Sequence, residues 1–85
     1  MNPIRARTST IILRNELRTG LTFATIAEQA TDEDKINRNR ENARKACRSA
    51  RQFIGVTPLS ASESVELHEK LEELEERLRL MEKAA

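Results

Sequence analysis

The sequence predicts an all-α fold: a three-helix antiparallel bundle, up-down-up, forming a single domain over residues 1–85. Three observations carry this. Apolar residues recur at helical spacing in three successive stretches, and none alternates at the period of two that a half-buried strand requires. Charged residues make up 34% of the chain while glycine and proline number two each, a composition of helices joined by short turns. Only GVTPLS, residues 55–60, reads as a loop. A chain this short buries roughly 60–65% of its unfolded surface, so its stability margin is small and association with a second chain is a common remedy. With no Trp, no Tyr and two Phe, the core has to be Leu, Ile and Ala.

Residues 1–9 allow two readings. Asn2 and Pro3 suit a helix cap and first position. The weak helix formers Thr8, Ser9 and Thr10 favour instead a loose arm, with the first helix over about 10–30. In that helix Ile12, Leu13, Leu17, Gly20, Phe23, Ala24, Ala27 and Ala30 spread over roughly 140 degrees, enough for two neighbours. Leu21 and Ile26 lie at the edges of the arc. Gly20 in mid-helix implies a close crossing or a kink. Glu16 falls within the apolar arc, where Arg48 or Arg51 is its expected partner; a carboxylate in an apolar cleft is also a site candidate.

The junction at Thr31 is so short that the first two helices form a hairpin. The middle helix spans 32–54, with Thr31 as expected cap and Asp32, Glu33 and Asp34 favouring the positive end of the helix dipole. Its seam is narrow: Ala43, Ala46, Cys47 and Ala50, with Ile36 and Phe53 expected to plug the ends. Asn39 falls inside that arc. It either fixes register through buried partners or marks a wet end of the seam. Gly55 suits a left-handed stop, with Pro58 beyond it. Val56 and Leu59 are expected to tuck onto the bundle end. Ser60 and Glu63 stand in capping-box spacing, opening a last helix over 61–83. There Leu67, Leu71, Leu74, Leu78 and Met81 alternate spacings of four and three, a heptad seam. Val65 lies at its edge and Leu80 off it.

Charge is distributed unevenly although the net is +1. Residues 32–54 hold seven Lys/Arg against four Asp/Glu, and residues 60–85 hold eight Glu against four Lys/Arg, so mutual attraction of these helices is expected. Within helices the i,i+4 spacing offers Asp34–Arg38, Glu41–Lys45, Glu66–Lys70, Glu73–Arg77 and Glu75–Arg79. The basic residues Arg38, Arg40, Arg44, Lys45, Arg48 and Arg51 make nucleic acid or another polyanion an alternative partner. Against it, no aromatic residue is placed to stack bases, and both Phe are placed for core.

No catalytic residue is predicted: there is no Ser–His–acid or Cys–His arrangement and no glycine-rich loop. Nor is any cofactor-binding or metal-binding residue. His68, the only histidine, flanks the heptad seam as an edge or exposed residue, and Glu72 alone makes no metal site with it. Cys47 reads as a buried, inert thiol; a single cysteine allows no internal disulfide. No apolar run approaches the ~20 residues of a membrane span, and none serves as a signal-peptide core, so the expected setting is the cytoplasm.

The stretches ELRTGLTFATIAEQA and DEDKINRNRENARKACRSARQF, about residues 16–53, resemble short uncharacterised bacterial proteins with paired helices. The order of three helices is similar to a microtubule-interacting-and-transport module, or to a tetratricopeptide-like hairpin with a capping helix, though without the latter's aromatic and Pro positions. That likeness implies a peptide-binding groove between helices. The function expected is therefore a non-enzymatic helical protein–protein interaction module, meeting a second copy as a homodimer or another protein's helix. Its expected contact residues are Leu21, Ile26, Val65 and Leu80, the apolar positions that one three-helix core leaves over.

Overall fold

A computed structural model of the chain describes residues 3–84, with side chains from Thr8 to Lys83. Three helices account for almost all of it: α1 (Pro3–Gln29), α2 (Glu33–Ile54) and α3 (Ala61–Ala84), with no strand among the described residues. They pack side by side as a rod of 46 × 18 × 17 Å. Cross-helix ion pairs show the directions. Arg14 in the first half of α1 meets Glu66 near the start of α3, and Glu28 at the end of α1 meets Arg77, so α1 and α3 run parallel. Arg44 reaches Glu82 while Arg51 reaches Glu75, so α2 runs against α3.

The core is built as the periodicity requires. Leu13, Leu17, Ala24, Ala27, Ala43, Ala46, Cys47, Ala50, Leu67, Leu71, Leu74 and Leu78 are buried. Met81, Leu59 and Ile54 close over the cluster. The bulk comes from the leucines of α1 and α3, and α2 contributes mainly small side chains that let its neighbours approach. Gly20 marks the closest approach. A Cβ added there would lie 2.6 Å from Leu74 Cδ2 and 3.2 Å from Ala46 Cβ. The glycine therefore serves a crossing, and α1 continues unbroken through it.

Several local expectations are corrected. α1 begins at Pro3, so residues 3–9 extend the helix where an arm was expected. Proline at a first helical position gives up no needed N–H, and its fixed φ is already helical. The α2 cap is Asp32, whose carboxylate accepts from Lys35 N at 3.1 Å, one residue beyond Thr31. Gly55 is right-handed, at φ −73° and ψ −18°. The helix ends instead by a tightened turn, in which Val56 N and Thr57 Oγ1 both donate to the Phe53 carbonyl. That turn buries Thr57 and turns Val56 outward at 78% exposure, while Leu59 packs against the core. Phe53 does not plug its end of the seam and stays 37% exposed. Ser60 and Glu63 do form the capping box: Ser60 N donates to Glu63 Oε1 and Glu63 N to Ser60 Oγ.

Candidate interaction surface

The functional question is what the bundle leaves uncovered. Of the four expected contact residues, Val65 and Leu80 are 60% and 51% exposed on α3. Leu21 and Ile26 on α1 are half-buried, and Leu21 also leans on the core. Leu21 lines a groove of about 420 Å³ between α1 and α3, walled by Arg14, Arg18, Thr22, Thr25, Glu66 and Lys70. The four do not form one patch: Val65 and Leu80 are fifteen residues apart, about 22 Å along the helix.

Four further large apolar residues are exposed: Ile11, Ile12, Phe53 and Val56. With Val65 they lie toward the side of the bundle where α2 stops and α3 starts. Ala46 and Leu74 both face Gly20, which sets a common height. Ile12 lies eight residues before Gly20, Phe53 seven after Ala46 and Val65 nine before Leu74, so all three lie on the same side of the Gly20 crossing. Ile11 and Ile12 point about 100 degrees apart, so these residues do not share one side. The signal that could have found them is that same register, which needs the cross-helix contact at Gly20.

A second groove, about 250 Å³, lies between α2 and α3 over Cys47 and Leu78. Arg44, Arg48, Arg51, Arg79, Glu75 and Glu82 wall it. Here the opposite charges of the two helices meet as expected. Arg51 donates to Glu75 at 2.7 Å, and Arg44 pairs with Glu82 at 2.7 Å and with Glu41 at 3.3 Å. These bonds raise the pKa of both arginines, with Glu82 the main cause for Arg44 and Glu75 for Arg51. Burial pushes the Cys47 thiol up, against the pull of the nearby Arg51. The thiolate is therefore disfavoured, as an inert structural cysteine requires.

Pairing also bears on the basic residues of α2. Arg44 and Arg51 are held by α3, Arg48 is 3.6 Å from Glu41, and Arg40 bonds Asn37. Among the described residues only Arg38 and Lys45 of the six have no polar partner, and they are seven residues apart. Within helices the pairs form at i,i+3, Glu41–Arg44 and Glu76–Arg79, and at i,i+7, Glu41–Arg48, in place of the expected i,i+4 set. Glu16 is half-buried and does not pair with Arg48 or Arg51, which are occupied elsewhere. Asn39 is buried and its side-chain amide donates within its own helix, to Lys35 O at 2.8 Å. His68 is exposed, with Nδ1 2.8 Å from Ser64 O.

Among the described residues no three His, Cys, Asp or Glu side chains converge as a metal site, and no helix is long and apolar enough to cross a membrane. Compared with protein-family models, curated proteins and solved structures, the chain gives no match.

Proposed function

We propose that the chain is a non-enzymatic helical interaction module, whose partner is a second copy or another protein's helix. The observation that carries this is the exposure of Val65 and Leu80 on α3, outside a core already closed by the heptad leucines. Leu21, on the wall of the α1–α3 groove, offers a third apolar contact of the helix-in-groove kind, and Ile26 a fourth. The likeness to microtubule-interacting-and-transport and tetratricopeptide-like modules implies a peptide-binding groove between helices, and the α1–α3 groove is one such place. The reading places the module in the cytoplasm, supported by its lone buried thiol, which has no disulfide to make.

Photo-crosslinking in cells tests this. A crosslinker installed in turn at Leu21, Ile26, Val65 and Leu80 is expected to join the chain to a discrete polypeptide, itself or another. The same reagent at Asp34, exposed and polar, serves as control. No discrete adduct from any of the four, or equal labelling at Asp34, would defeat the proposal.

A further inference from the structure

Two bonded pairs fix how α1 and α3 line up. Arg14 donates to Glu66 toward one end of their contact, and Arg77 donates to Thr25 Oγ1 at 2.7 Å toward the other. Both pairs join residues 52 apart in sequence, so a residue of α1 stands level with the residue 52 later on the parallel α3. Arg18, one turn beyond Arg14, is therefore level with Lys70, one turn beyond Glu66. Both line the groove of about 420 Å³ whose wall on α1 runs from Arg14 to Thr25.

The charges of this groove do not balance. At the first level Arg14 bonds both oxygens of Glu66, so that carboxylate is occupied. One turn on, both walls bring a cation and neither brings an acid. Arg18 and Lys70 are exposed, and among the described residues neither side chain has an ion pair or hydrogen bond. Arg14, Arg18 and Lys70 stand against Glu66 alone, a local excess of two positive charges in a chain whose net charge is +1. Glu73, three residues beyond Lys70, does not line the groove, and its charge bears on Arg77. The wall threonines add no free donor, because Thr22 Oγ1 donates to Arg18 O and Thr25 Oγ1 to Leu21 O, each at 2.9 Å. Leu21 is the apolar side chain of the wall, three residues and about 4.5 Å beyond Arg18. The α2–α3 groove is also rich in arginine, but there Arg44, Arg48, Arg51 and Arg79 each have a glutamate within 3.6 Å.

We infer that the α1–α3 groove takes an acidic helix of another protein, with a carboxylate between Arg18 and Lys70 and an apolar side chain on Leu21; this rests on the interaction-module reading. An acid placed there relieves the repulsion of two like charges standing level and receives charge-assisted hydrogen bonds from both walls. The spacing suits a helix, whose residues three or four apart share a face and rise by about 4.5–6 Å, as Arg18 and Leu21 do on the wall that receives them. From Arg14 to Thr25 is eleven residues, about 16 Å, enough for three turns of a docked helix. Two unpaired cations match one side-chain carboxylate and are too few to follow the repeating charge of a nucleic acid.

The probe is a phage-displayed library of helical peptides, selected on the whole chain at low salt. Against the unselected pool, retained peptides are expected to be enriched in Asp or Glu three or four residues from Leu, Ile or Met. Synthesised singly, they are expected to shift the amide resonances of Arg18, Leu21, Thr22 and Lys70. They should bind Arg18→Glu and Lys70→Glu each about tenfold or more weakly than the parent. A peptide with Lys in place of its acid is expected to bind the double variant better than the parent, a reversal that loss of folding would not produce. An empty selection, a selection without acidic preference, or binding that ignores both charge reversals overturns the inference. So does a DNA duplex of mixed sequence that moves these resonances at lower concentration than the peptides do. Peptide shifts confined to Val65 and Leu80 overturn this groove and leave the interaction-module reading standing, which the crosslinks at those two positions decide by themselves.

Discussion

A methyl group added at Gly20 would stand 2.6 Å from Leu74 Cδ2 and 3.2 Å from Ala46 Cβ, so α1 has no room for one at this level. Gly55 is the opposite case. Its backbone is right-handed, and an added Cβ would meet only the Gln52 carbonyl, at 3.7 Å. The same substitution should therefore have opposite signs at the two sites. Overpacking costs typically ~1–3 kcal/mol, against ~1 kcal/mol returned by the better helix propensity of Ala. Gly20→Ala is thus expected to lower stability by up to about 2 kcal/mol, the Leu74 methyl having to swing away. Gly55→Ala is expected to raise it by ~0.4–1 kcal/mol, since Ala narrows the unfolded ensemble at no native cost. At this chain length 1 kcal/mol moves the melting temperature by ~4–8 °C, so one thermal series decides both. Equal shifts of the same sign would show that the two glycines are not distinguished by packing.

Individual helices show where sequence patterns suffice. The heptad leucines of α3 and the Ser60–Glu63 box are legible because each depends only on spacing within one helix. The α2 cap is not legible to the residue because Thr31 and Asp32 are both good caps, and only the backbone entering the helix chooses between them. The cross-helix partners of Arg77, Arg44 and Arg51 depend on register, which single-helix periodicity does not contain. The outward turn of Val56 follows from Thr57 capturing the Phe53 carbonyl, a local hydroxyl bond with no pattern behind it. For α3 the box makes a pH prediction. Bonds from the Ser60 N–H and hydroxyl hold the Glu63 carboxyl below its ordinary value of 4.5. A carboxylate depressed on folding stabilises above its unfolded pKa, and that stability fades as pH falls through the folded pKa. Glu63→Ala should therefore melt below the parent at neutral pH, with the gap narrowing below about pH 4.5. A gap that stays constant from neutral to acid pH would mean the ionised carboxyl contributes nothing to the cap.

For the molecule as a whole, α3 decides whether there is a core at all. Four of the six fully or nearly buried leucines are its own: Leu67, Leu71, Leu74 and Leu78. On the facing side α2 offers Ala43, Ala46, Cys47 and Ala50, small residues that bury little area by themselves. Remove α3, and the α1–α2 hairpin keeps its close approach but exposes Leu13 and Leu17, each worth roughly 1.5–3 kcal/mol when fully buried. It also loses the Arg14–Glu66, Arg77–Glu28, Arg44–Glu82 and Arg51–Glu75 ties. Such exposed pairs contribute ~0–1 kcal/mol each and specify which faces meet more than they hold them. Small domains have no reserve to absorb losses of this size. A chain ending at Gly55 is therefore expected to show some helical circular dichroism, because its helices are long, but no cooperative thermal transition. A sigmoidal melt with dispersed amide resonances from that hairpin would place the core in α1 and α2, and the heptad leucines of α3 would then be free to serve as a docking face themselves.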